Sequence, residues 1–158
     1  VPRHPERFDT VARLVSDSGF SLARRTKTGK SADDVSVLLV DTLGELPMFY
    51  AASDVAFVGG SLVRIGGHNL LEPSALGKPT LTGPHTFNAQ DIATMLVDSG
   101  ATRLVNSQEE LASQLKQLFQ DSSLRRDAGE RALHIVHENR GALARLLELL
   151  DPLITDDL

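Results

Sequence analysis

The stretch that decides the fold runs Asp54-Val55-Ala56-Phe57-Val58-Gly59-Gly60-Ser61-Leu62-Val63-Arg64-Ile65-Gly66-Gly67-His68-Asn69-Leu70-Leu71-Glu72-Pro73. Asp54 to Val58 predicts a short strand, because an apolar run bounded by turn residues suits a parallel sheet covered on both faces. Two glycine pairs bracket the loop that follows. Glycine there permits positive φ angles and lets a ligand approach the backbone closely. Asn69 to Leu76 then reads as a helix, so one span contains a buried strand, a glycine-rich loop and a helix.

Working outward, the same alternation extends in both directions. Upstream, Pro5 suits a first helical position, and Phe8, Val11, Leu14 and Val15 recur at helical spacing until Gly19. Phe20 to Arg25 predicts a strand, Val35 to Val40 a buried β-branched strand, and Leu43 to Ala51 a short helix. Downstream, Pro79 to Leu81 and Thr102 to Val105 predict strands, with a helix over Asn88 to Ser99 between them. Gln108 to about Leu150 reads as mostly helical. Strands alternating with helices imply a parallel sheet, since parallel neighbours need a crossover that is usually a helix. The fold class is therefore α/β, a Rossmann-like three-layer α/β/α domain, and no repeat or linker divides residues 1–158. Val1-Pro2 reads as the tail of a strand, so a first strand and helix are expected upstream.

Composition narrows the function. The chain has 158 residues, 41% of them apolar, and no cysteine, which excludes disulfides and thiolate metal sites. Its apolar runs fall far short of the ~20 residues that span a bilayer. The formal charge of −5 is uneven: residues 1–30 carry seven Lys/Arg against three Asp/Glu, and the rest carry nine against eighteen. Such an acidic domain is a poor partner for a nucleic-acid backbone. The basic segment Arg24, Arg25, Lys27 and Lys30 suits a small anionic ligand, an anionic surface or a solvated loop.

In parallel sheets ligands bind outside the carboxyl ends of the strands, and the unusual residues of this chain lie there. Gly60 and Ser61, with Gly66 and Gly67, fit either a phosphate cradle feeding a helix N-terminus or a structural turn. Glu72 fits a capping acid or a carboxylate that accepts bonds from two ribose hydroxyls. Arg3 fits a phosphate contact or a surface arginine flanking a helix. His134 and His137 stand three apart without a zincin pattern, and there is no Asp-X-Asp motif, so no metal and no cofactor is expected. The stripe Leu143, Leu146, Leu147, Leu149 and Leu150 reads as packing.

Five strings, taken together and in order, closely resemble the C-terminal domain of the 3-deoxy-D-manno-octulosonic acid (Kdo) transferases: Pro2-Arg3-His4-Pro5-Glu6-Arg7-Phe8, Asp41-Thr42-Leu43-Gly44-Glu45-Leu46, Phe57-Val58-Gly59-Gly60-Ser61-Leu62-Val63, Gly66-Gly67-His68-Asn69-Leu70-Leu71-Glu72-Pro73 and Gly83-Pro84-His85-Thr86-Phe87-Asn88. The resemblance implies the C-terminal half of a GT-B glycosyltransferase, which binds CMP-Kdo while an N-terminal domain binds the lipid A precursor (lipid IVA). It implies CMP contacts at Pro2, Arg3, Leu43, Gly44, Glu45, Asn69, Leu70, Leu71 and Glu72, to which the loop residues Gly60 and Ser61 are added. The family usually has Met where Leu43 stands and Pro where Leu70 stands. The carboxylate that deprotonates the acceptor is implied on the N-terminal domain, so no catalytic residue is assigned to this chain. Lipopolysaccharide biosynthesis at the cytoplasmic face of the bacterial inner membrane follows from the same resemblance, with an anionic membrane surface as a further partner. Two readings compete with it: the donor domain of another GT-B enzyme using a UDP-sugar, and a nucleotide-binding module without chemistry of its own.

Overall fold

The computed structural model of the chain describes residues 1–27, 35–141 and 147. Packing divides it into two compact units, Val1–Met48 and Phe49–Leu158.

In the first unit a single 3-10 turn, Pro5–Arg7, leads into helix α1, Phe8–Asp17. Pro5 occupies the first position of that turn, where its missing N–H costs nothing. Val11, Ala12 and Val15 form the half-buried stripe of α1, which packs against strands β1 (Leu22–Arg24) and β2 (Val37–Leu39). Those strands pair in parallel, Leu22 with Val37 through Arg24 with Leu39. Val1 and Pro2 carry no sheet pairing in this structure. Helix α2, Leu46–Ala52, runs across the boundary into the second unit.

The second unit is built on strands β3 (Ala56–Val58), β4 (Thr80–Thr82) and β5 (Thr102–Leu104), parallel and in that spatial order. The register Phe57 to Leu81 to Arg103 sorts residues to two faces, because side chains alternate along a strand. One face holds Val58, packed with Leu70, Ala93, Leu96, Ala101 and Ala132 under helices α4 (Gln90–Asp98) and α6 (Ser122–Glu138). The other holds Leu81 and Val105, packed with Leu118 of α5, Gln108–Gln120, and flanked by Val55, Leu62, Leu111 and Leu115. Helices on both faces make the three-layer α/β/α arrangement that the sequence predicts.

The helical tail divides at Asp121, whose carboxylate accepts from the backbone N–H groups of Ser123 and Leu124 and so starts a new helix. The expected stripe of late leucines lies outside the described residues except for Leu147, which is exposed. The helix expected over Asn69 to Leu76 is shorter than the sequence suggests. Helix α3 spans only Leu71–Ser74 and ends in a turn at Gly77, whose φ of +65° a side-chain-bearing residue rarely adopts. Among the described residues no helix is long and apolar enough to cross a membrane.

Candidate functional site

The carboxyl ends of β1 and β2 carry the first group of site residues. Beyond β2 the chain enters Asp41, which is 7% exposed, and then turns at Gly44 with a φ of +81°. Asp41 stitches this turn to the segment after β1. Its Oδ1 accepts from the Thr26 backbone N–H at 2.9 Å, and its Oδ2 accepts from the Thr26 hydroxyl at 2.6 Å and from Arg24 Nε at 2.7 Å. Burial alone would raise the Asp41 pKa, but the bonds from Thr26 and Arg24 outweigh it and hold the group at about 2. Arg24 reaches the other way to Asp9 of α1 at 2.5 Å.

Glu45 is held similarly. One carboxylate oxygen accepts from Arg25 Nη2 at 3.0 Å and the other from the Thr42 hydroxyl, and these two bonds keep its pKa below the usual carboxylate value. The basic segment read from the sequence is thus largely spoken for. The Arg24 and Arg25 guanidiniums are committed to Asp9, Asp41 and Glu45, Lys27 is exposed, and Lys30 lies outside the described residues. Leu43 and Gly44 stand exposed at the tip of the turn, Leu43 at 72%. Pro2 is half-buried and Arg3 exposed, just ahead of the 3-10 turn that the Arg7 N–H closes onto the His4 carbonyl.

The second group lies in the loop between β3 and α3. The Gly67 N–H donates to the Gly60 carbonyl at 2.8 Å, drawing the two glycine pairs together. The loop is also joined to the segment after β4. The Ser61 carbonyl accepts from the His85 N–H at 2.9 Å, and the Ser61 hydroxyl donates to the Val58 carbonyl and accepts from the Gly83 N–H, both at 2.8 Å. These bonds settle the role of the Ser61 side chain. It is fully buried and its hydroxyl is used within the fold, so a ligand can meet this position only through the backbone. Leu70, at 2% exposure, is likewise a core residue by its side chain.

At the loop's exit, Asn69 Oδ1 accepts from the Leu71 N–H at 3.0 Å, and Asn69 Nδ2 donates to Glu72 Oε1 at 3.1 Å. The helix whose N-terminus this loop feeds is a single turn, Leu71–Ser74. A single turn sums few peptide dipoles, and the Leu71 N–H is already taken by Asn69. What the geometry offers is a half-buried carboxylate, oriented by Asn69, at the mouth of a tight glycine-rich loop. Tyr50 of α2 was not singled out from the sequence. Burial raises its phenol pKa, and the negative charge of Glu72 raises it further, so the hydroxyl stays protonated within electrostatic reach of Glu72. Its only sequence signal is being the sole tyrosine of the chain.

The family model of the group 1 glycosyl transferases matches residues 21–134. The chain is 45% identical over 153 residues to the 3-deoxy-D-manno-octulosonic acid transferase of Haemophilus influenzae and 40% identical over 152 residues to that of Bordetella pertussis. Each alignment takes in 96% of this chain and 36% of the relative, so the chain spans about a third of the length of the curated relatives it matches. The structure is similar to the crystal structure of the C-terminal CMP-Kdo binding domain of WaaA from Acinetobacter baumannii, with a TM-score of 0.82 and 35% identity over 88% of this chain and 72% of that one. The resemblance carried by the five strings is borne out at the level of both sequence and fold. With a family model spanning most of its length and relatives alike along nearly all of it, the chain belongs to the group 1 glycosyl transferases.

Proposed function

We propose that this chain is the donor-binding domain of a transferase that moves Kdo from CMP-Kdo to a lipid A precursor. The observation that carries the reading is the likeness of 88% of this chain to a solved CMP-Kdo binding domain, of which it covers 72%. The geometry at the start of α3 supports it. A carboxylate suits two ribose hydroxyls better than a phosphate, and Glu72 has one oxygen fixed by Asn69. The backbone around Gly60, with Leu71 and Asn69, lines the approach to the nucleotide, and Leu43 and Gly44 contribute through backbone and shape. Glu45 supports that turn through Arg25 and Thr42. Arg3 contacts the donor phosphate and stabilises the charge that builds on CMP as it leaves.

No metal or cofactor is needed in this proposal, since the positive charge comes from the protein. The general base that accepts the acceptor's proton belongs to the part of the enzyme beyond this chain, as does the acceptor site. The full-length enzyme works at the cytoplasmic face of the inner membrane in lipopolysaccharide biosynthesis. Of the basic segment, Lys27 and Lys30 remain the candidates to approach an anionic bilayer. The test is a titration of the chain with CMP, UMP and UDP, followed by amide chemical shifts. A preference for CMP is expected. A preference for UDP overturns the reading in favour of a UDP-sugar enzyme, and no response to any nucleotide favours a module without this chemistry.

A further inference from the structure

The glycine-rich loop is held from outside itself, and one residue, Asn88, makes three of the bonds that hold it. The Asn88 side-chain amide donates to the Ile65 carbonyl at 3.3 Å and to the Gly67 carbonyl at 3.4 Å, while its backbone N–H donates to the Gly66 carbonyl at 3.2 Å. Three consecutive carbonyls are thus claimed by one residue 21 to 23 positions further along the chain. Packing reports the same relation independently. A Cβ on Gly66 would fall 2.4 Å from Asn88 Nδ2 and 2.6 Å from its Cγ, so Asn88 lies in the space that only a glycine leaves open. Gly66 and Gly67 have φ angles of +104° and +73°, and a Cβ on Gly67 would sit 3.3 Å from the His85 carbonyl.

We propose that Asn88 is a positioning residue for the nucleotide site, presetting the Gly66-Gly67 backbone so that Asn69 and Glu72 are presented in their binding arrangement; this rests on the CMP-Kdo reading above. Adjacent glycines have the most backbone freedom to lose, and a ligand that had to order them itself would bind less tightly. Asn88 removes that cost in advance. It is itself exposed and fills no core space, so it acts on the order of the loop and hardly on the stability of the fold. The chemistry required is specific. Two N–H donors must face two carbonyl oxygens, which asparagine supplies and aspartate, of the same shape, cannot.

The experiment compares the wild-type chain with Asn88→Ala and Asn88→Asp by thermal midpoint, by amide hydrogen exchange of Gly66 and Gly67 without nucleotide, and by CMP titration. Both variants should keep a midpoint within about 2 °C of wild type. Exchange at the two glycines should become faster, and CMP affinity should fall about tenfold, corresponding to ~1.4 kcal/mol. Aspartate should be at least as damaging as alanine, because its carboxylate would face two carbonyls. Wild-type exchange and affinity in both variants overturn the proposal, and so does an affinity loss seen only where the midpoint falls in proportion. Should the wild-type chain show no response to CMP, the CMP-Kdo reading fails, and unchanged glycine exchange in Asn88→Ala would then separately overturn the ordering role.

Discussion

Replacing Ser61 with alanine should destabilise the second unit far more than the loss of one hydroxyl from a loop would suggest. The side chain has no solvent exposure, and its hydroxyl joins the end of β3, through the Val58 carbonyl, to the segment after β4, through the Gly83 N–H. Alanine removes the donor to Val58, a net loss of about 0.5–1.5 kcal/mol, and strands a buried N–H at Gly83, costing about 1–3 kcal/mol. Water cannot readily replace the oxygen. The two segments are so close that a Cβ on Gly83 would lie 2.4 Å from the Ser61 carbonyl carbon and oxygen. The sum is ~2–4 kcal/mol, or a drop of about 5–15 °C in the thermal midpoint for a chain of this size. Urea unfolding of wild type and Ser61→Ala, read by circular dichroism with the slope m held common, measures it directly. A change below about 0.5 kcal/mol would show that the hydroxyl is not a structural staple.

Three further outcomes follow from the same structure. Glu72→Gln should weaken CMP binding by ~1.5–3 kcal/mol, the range for hydrogen bonds to a charged group, and unchanged affinity by calorimetry in a folded variant would remove Glu72 from the ribose site. Gly129→Ala would set a Cβ 2.1 Å from the Gly77 carbonyl oxygen, so α6 must shift. Alanine's helix preference recovers about 1 kcal/mol and overpacking costs about 1–3 kcal/mol or more, so a net loss is expected in denaturant unfolding, and a stabilised variant would contradict the close approach. Asp41, whose pKa is lowered from 3.8 to about 2, stabilises the fold when ionised. That contribution of ~2 kcal/mol is present above pH 4 and is lost as the pH falls through 2; Asp41→Asn should therefore flatten the acid branch of a stability profile between pH 4 and 2, and parallel curves would refute it.

Local pattern made the α/β class legible in this chain. The β-branched runs before Asp41 and Gly59, the glycine at 19 and the proline at 5 start or stop an element because they act through the backbone of their own neighbourhood. The Asp121-Ser122-Ser123 cap that splits the tail was equally local, and a stricter reading of helix starts would have found it. The order of the five strings identified the family without any structure. Residue type and place in the chain pointed to Asn69, Glu72 and the turn at Leu43 to Glu45, but they could not say which side chains face a ligand. That depended on partners far away in sequence. Arg24 is turned inward by an aspartate 17 residues later, Ser61 by a glycine 22 residues later, and the glycine loop is held by Asn88. The length of α3 was decided in the same way, since four residues form a helix only where Leu70 and Pro73 are buried against the rest of the unit. Hydrophobic period and turn chemistry are properties of a window, whereas a buried hydroxyl or a paired guanidinium is satisfied by whichever group the folded sheet brings alongside it.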